Sequence, residues 1–228
     1  TQRLERHALE SLREGVPWNW KSTADYFGEI EGRLGINAGF MVGHSAIRRV
    51  VMGEESIARE AKPEELEAMR ALLRAGLESG ALGFSSSWAR THNDAEGHNV
   101  PSRSASRDEI VSLCETVGEF EGTSLEFIPM VGPFEPWAVE LMAAMSKAAQ
   151  RPLNWNVLGV SSKNMDDVEQ KLAAGTYAQE HGGRVVALTV PMSFPVYLSF
   201  RSGFILDAMP GWEEAMGLPL EEKLALFE

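Results

Sequence analysis

The stretch "ALGFSSSWARTHNDAEGHNVPSR", residues 81–103, places His92, Asp94, Glu96 and His98 within seven residues of a chain that has five histidines in all. Imidazoles and carboxylates this close could ligate a metal, exchange protons with a substrate, or stand in solvent. The spacing is not the H-E-x-x-H of a zinc-binding helix, and a loop is a poorly preorganised ligand set. His92 and His98 are therefore read as candidate substrate-binding residues, with a solvated loop as the alternative. A second polar set lies in short apolar runs. "TSLEFIP" carries Glu126, "PLNWNVL" carries Asn154 and Asn156, "ALGFSSS" carries Ser85 and Ser87, and "VVALTV" carries Thr189.

Positioning these residues requires a regular scaffold. Tyr26, Phe27, Ile30 and Leu34 form a helical stripe behind a capping Ser22. "KPEELEAMRALLRAGLESG" reads as a helix with Pro63 in its first turn and Gly80 at its end. Ser106 and Glu109 stand at capping-box spacing ahead of Ile110, Leu113 and Val117. Trp137, Leu141, Met145 and Ala148 mark a further helix, and Met165, Val168 and Leu172 another over 163–180. Five apolar runs, at 36–43, 81–86, 123–129, 152–160 and 184–190, alternate with these helices. That rhythm predicts βα units and a parallel sheet. A flavodoxin-like or Rossmann sheet would share it, but no run is followed by a glycine-rich phosphate loop. The favoured reading is α/β, a partial (β/α)8 TIM-like barrel of about five consecutive βα units, in one domain spanning 1–228.

Barrel strands bury both faces, so alternation sorts the polar residues. Leu82, Phe84, Leu125, Phe127, Leu153, Trp155, Val157, Val186, Leu188 and Val190 are expected toward the helices. Ser85, Ser87, Ser124, Glu126, Ile128, Asn154, Asn156 and Thr189 are expected inward, toward the strand ends where barrel sites form. A carboxylate inside a barrel is costly unless paired or functional. Glu126 is thus either a site residue or the partner of an arginine such as Arg48 or Arg103.

Composition narrows the classes. With 44% hydrophobic and 24% charged residues the chain is an ordinary globular sequence. Its net charge of −12, with no face-sized cluster of Lys or Arg, argues against nucleic acid as a partner. No apolar run is long enough to span a membrane and no signal-peptide pattern opens the chain, so a cytoplasmic location is expected. The single Cys114 excludes an internal disulfide and a thiolate-rich zinc site, and its apolar neighbours predict a buried thiol.

The segments "VPWNWKSTADYFGEIEGRLGINAGFMVGHSAIRRVVMG" and "AKPEELEAMRALLRAGLESGALGFSSS" carry several motifs together: W-x-W before a helix, V-G-H-x-x-I-R at a strand end, K-P-E-E-L-x-x-M and G-A-x-G-x-S-S. In that combination the chain resembles the N-acyl-D-amino-acid deacylases of the amidohydrolase superfamily, densely over 16–128 and more loosely beyond. The resemblance implies a metal-dependent barrel that hydrolyses the amide of a small N-acyl amino acid with metal-activated water, zinc being the implied metal. It places His44 at a strand end as a candidate catalytic residue, beside Glu126, and Arg48 as a candidate substrate contact; a hydrogen-bonded structural role for His44 is the alternative. It also implies an H-x-H upstream of Thr1 and a catalytic Asp beyond Glu228, so the chain is expected to be an internal piece of a longer barrel. Such a piece is expected to self-associate and to be inactive alone.

The departures are equally specific. The family's histidine ligands on the strands matching 123–129 and 152–160 are absent, and "SLEF" and "NWNV" stand there instead. No metal ligand is certain in the chain, and Glu126 is the possible one. A one-metal or altered-metal hydrolase, another amidohydrolase acting on a cyclic amide, and a non-catalytic ligand-binding relative remain open.

Overall fold

Strands and helices alternate as the patterning predicts in the computed structural model of the protein. It describes residues 13–94, 98–190 and 211–226, together with 192, 198, 200, 206 and 209. The order is α1 (Thr23–Ile30), β1 (Val42–Gly43), α2 (His44–Met52), α3 (Pro63–Glu78), β2 (Gly83–Ser87), α4 (Arg107–Gly118), β3 (Ser124–Ile128), α5 (Pro136–Ala149), β4 (Leu153–Leu158), α6 (Met165–Glu180) and β5 (Val185–Thr189), followed by α7 (Glu213–Gly217) and α8 (Leu220–Ala225). The five strands form one parallel sheet in sequence order. Sequential order with a helix between most neighbours is how a barrel wall grows, since each right-handed crossover lays its helix on the same face.

Caps start the helices where the sequence indicates. The Ser22 hydroxyl accepts the Asp25 N–H at 3.1 Å, and the Asp25 carboxylate accepts the Ser22 N–H at 3.0 Å. Ser106 caps α4 by accepting the Glu109 N–H at 3.1 Å. The return bond of a capping box is missing there, because the Glu109 carboxylate turns inward to other partners. One continuous core joins Phe84, Leu125, Phe127, Leu153 and Trp155 of the sheet to Leu73, Ile110, Leu113 and Leu141 of the helices. Cys114 lies inside it, and burial pushes its thiol pKa up, as expected of an inert core thiol.

Three expectations need correction. The run 36–43 is a strand only at Val42–Gly43, paired to Phe84 and Ser85; ahead of it a single backbone bond, Leu82 N–H to the Phe40 carbonyl at 2.8 Å, joins the two runs. In β5 the alternation is opposite to that expected. Val185 is 7% exposed and packs on the helices, whereas Val186 and Leu188, 39% and 46% exposed, take the other face. Uniform hydrophobicity gave no phase to this strand, and pairing of Asn154 with Val186 sets it. Val157 is exposed as well, because the β4–β5 register shifts between Asn156 and Leu158.

Gly83 opens β2 with φ +148°, and a Cβ there would land on the Ser124 carbonyl oxygen. Gly83→Ala is therefore expected to destabilise the chain by about 2–4 kcal/mol, read as a lowered urea midpoint. An unchanged midpoint would contradict this close strand approach.

Candidate active site and the buried histidine cluster

Cross-strand register assembles the polar face. Ser85 pairs with Glu126, and Glu126 with Asn154, so these three form a row across β2, β3 and β4. One residue pair further along, Ser87 lies opposite Ile128. All are half-buried, while Phe84, Leu125, Phe127 and Trp155 on the other face are buried. The Asn156 amide donates to Oε1 of Glu126. Glu126 pairs with neither Arg48 nor Arg103 among the described residues, so it is not the counter-ion of a buried arginine. Its Oε2 has no protein hydrogen bond there. Thr189 does not join this face: it follows the phase of Val185, and its hydroxyl donates to the Leu158 carbonyl at 2.8 Å.

His44 and Arg48 belong to a separate, buried cluster on the helix side. Gly43 ends β1 and His44 opens α2, so the imidazole turns between the sheet and α4. It is 1% exposed, with Nδ1 2.8 Å from the Ser86 hydroxyl and Nε2 2.8 Å from Glu109 Oε1. Arg48, 0% exposed, donates through Nη1 to Glu109 Oε2. Its other donors reach the carbonyls of Ser56 at 3.1 Å, Arg59 at 2.8 Å and Ser104 at 3.4 Å. Burial lowers the His44 pKa, against the pull of Glu109, so the ring is neutral. Burial alone would raise the Glu109 pKa, but the bonds from His44 and Arg48 hold it below the ordinary carboxylate value. An ionised carboxylate only accepts, so His44 carries its proton on Nε2 and at Nδ1 accepts a hydrogen bond from the Ser86 hydroxyl.

Serine, histidine and glutamate in hydrogen-bonded series have the composition of a nucleophilic triad. Here all three are buried under the helices, and an arginine neutralises the acid, so no substrate carbonyl can reach Ser86. The cluster is a structural lock. It joins the ends of β1 and β2 to the start of α4, and the placement of His44 as catalytic and Arg48 as a substrate contact is corrected accordingly. Glu109, which the sequence marked only as a capping residue, is its centre.

The 88–106 loop leaves the same end of the sheet. His98 forms an ion-pair contact with Asp94, Nδ1 to Oδ2 at 3.3 Å; the His98 N–H also donates to Asp94 Oδ1 at 2.8 Å, and the Asp94 N–H to the His98 carbonyl at 2.8 Å. His92 N–H bonds to the Ala89 carbonyl, and Asn93 bridges Asn99. Glu96 lies outside the described residues. Among the described residues no three His, Cys, Asp or Glu side chains come together to hold a metal. On the polar face Glu126 is a single carboxylate already engaged by an amide. The described residues thus do not fit a zinc site by themselves, in the loop or on the strands. A cleft of about 770 Å3 lies at the opposite end of the sheet, where Phe27, Ile30, Ile36 and Phe40 line it. It is remote in topology from the polar face.

No family model matches the chain. A D-aminoacylase from Alcaligenes xylosoxydans xylosoxydans is 31% identical over 115 residues, covering 50% of this chain and 22% of that protein. The crystal structure of a D-aminoacylase that defines a subset of amidohydrolases superposes with a TM-score of 0.58 at 25% identity, over 75% of this chain and 34% of that one. Over the matched part this chain has the fold of an amidohydrolase barrel and is similar to D-aminoacylase. A further D-aminoacylase structure, concerned with a binuclear metal centre, gives a TM-score of 0.59 at 25% identity over 75% and 34%. The N-acyl-D-glutamate deacylase of Bordetella bronchiseptica, complexed with zinc and a phosphonate inhibitor, shares the fold at 22% identity and a TM-score of 0.54, with the same coverage. The chain thus spans about a third of the solved relatives and about a fifth of the curated one.

Proposed function

We propose that the protein hydrolyses the amide bond of N-acyl-D-amino acids or closely related amides, and that Glu126 is the proton acceptor on this chain. The observation that carries the reading is the Asn156–Glu126 bond on the polar face. The amide fixes one carboxylate oxygen and leaves the other to take a proton from the attacking water and return it to the leaving nitrogen as the C–N bond breaks, which is the arrangement a general base needs. Ser85, Ser87 and Asn154 flank it as hydrogen-bonding groups for the acyl amide, and His92 and His98 are the loop residues assigned to the substrate. A zinc ion, as in the complex of the N-acyl-D-glutamate deacylase, would need ligands beyond the described residues.

A cytoplasmic location and a single domain belonging to a larger barrel complete the proposal. No helix among the described residues is long and apolar enough to cross a membrane. Self-association of the chain alone is expected, given Val157, Val186 and Leu188 exposed on and beside the strands.

The absence of a three-donor cluster among the described residues favours one competing reading, a binding module that retains ligand without cleaving it. Release of free amino acid from N-acetyl-D- and N-acetyl-L-amino acids by the full-length protein that carries this chain, with and without added zinc, separates the two. Hydrolysis of the D series supports the deacylase. Saturable binding without release under either condition sinks it and leaves the binding module.

A further inference from the structure

Arg103 and Arg90 are neighbours in the loop that leaves the C-terminal end of β2. Arg103 lies one residue past Ser102, whose hydroxyl donates at 2.7 Å to the carbonyl of Ser87, the last residue of β2. Ser102 is in turn held by Ser45, Oγ to Oγ at 3.0 Å, so this part of the loop is fixed to the strand end. Among the described residues the Arg103 side chain donates only from Nη1, to Asn93 Oδ1 at 2.9 Å and to the Arg90 carbonyl at 3.4 Å. Its Nε and Nη2, the edge that engages a carboxylate through two parallel bonds, have no protein partner among the described residues.

The charge environment adds an independent reason. Arg103 is half-buried, and neither it nor Arg90 meets a carboxylate among the described residues, in a chain of net charge −12. Burial first, and the Arg90 charge second, lower the Arg103 pKa, so the guanidinium lies where an anion would relieve both costs. Arg48, by contrast, has its donors spent in the buried lock.

The geometry points to Arg103, assisted by the charge of Arg90, as the subsite that holds the free carboxylate of an acylated amino acid. Resting on the deacylase reading, it names the substrate group that the loop recognises and moves that role from Arg48 to Arg103. Arg103 is a binding residue and takes no proton.

The test compares N-acetyl-D-leucine with its uncharged amide, N-acetyl-D-leucinamide, on the full chain by calorimetric titration. The acid is expected to bind about tenfold or more tightly than the amide. Arg103→Gln removes that preference, and Arg103→Lys, which keeps the charge but loses the fork, retains part of it. Equal affinity for acid and amide, no binding of either, or a preference that survives Arg103→Gln in a variant with native circular dichroism overturns the subsite. If Arg103→Gln fails to fold, Arg90→Ala on the loop surface decides: acid affinity unchanged overturns the site, and a several-fold loss upholds it. Hydrolysis assayed in parallel keeps the two readings apart. Binding through Arg103 without cleavage fails the deacylase alone, whereas cleavage of acid and amide with equal kcat/KM fails the subsite alone.

Discussion

Glu109→Ala is expected to remove about 3–5 kcal/mol of stability, because it leaves Arg48 as an unpaired cation in the core. The same change takes the acceptor from His44 Nε2 and releases the start of α4 from the ends of β1 and β2. Urea unfolding of the chain measures it, and a loss below about 1 kcal/mol would show that the buried ion pair is replaceable by water. The pH dependence has a definite sign. His44 is neutral when folded and binds a proton more readily once unfolded, so its contribution is complete above its ordinary pKa of 6.5 and declines as pH falls below it. Glu109, held low when folded, contributes fully above its ordinary 4.5 and is lost as pH falls further. Both act in the same direction. Urea midpoints should fall from pH 7.5 to pH 5 and again toward pH 4, and Glu109→Ala should flatten the second decline. Midpoints that rise on acidification would contradict the neutral, buried histidine.

In the full-length protein that carries this chain, Glu126→Gln should lower kcat for N-acyl-D-amino acid hydrolysis by about 10²–10⁴-fold, the usual contribution of a positioned general base. The glutamine still accepts from the Asn156 amide, so the local geometry persists while the proton acceptor is lost. Because Glu126 is half-buried and has no cationic partner among the described residues, the unfolding midpoint should move little. This pairing of effects separates Glu126 from Glu109, which governs stability. A Glu126→Gln enzyme with unchanged kcat would remove Glu126 from the chemistry and leave it as a hydrogen-bonding residue of the face.

Hydrophobic periodicity and the caps at Ser22 and Ser106 determined the alternation of helices and strands, because both are local: a stripe or a capping hydroxyl acts within a few residues of itself. Alternation in β3 and in β4 as far as Asn156 also placed Glu126, Asn154 and Asn156 on one face. In β5 it failed, since "VVALTV" is apolar at nearly every position and only pairing with β4 sets its phase. That removed Thr189 from the face. The motif V-G-H-x-x-I-R marked His44 and Arg48 as important but not which way they point. Tertiary structure decided that, because Glu109 is 65 residues from His44 in sequence and 2.8 Å away in space. Long-range pairing likewise turned Glu109 from a capping residue into the centre of the buried lock. It also left Arg103, not Arg48, with a guanidinium edge that has no partner among the described residues, since hydrogen-bond saturation depends on neighbours that only the folded chain brings together.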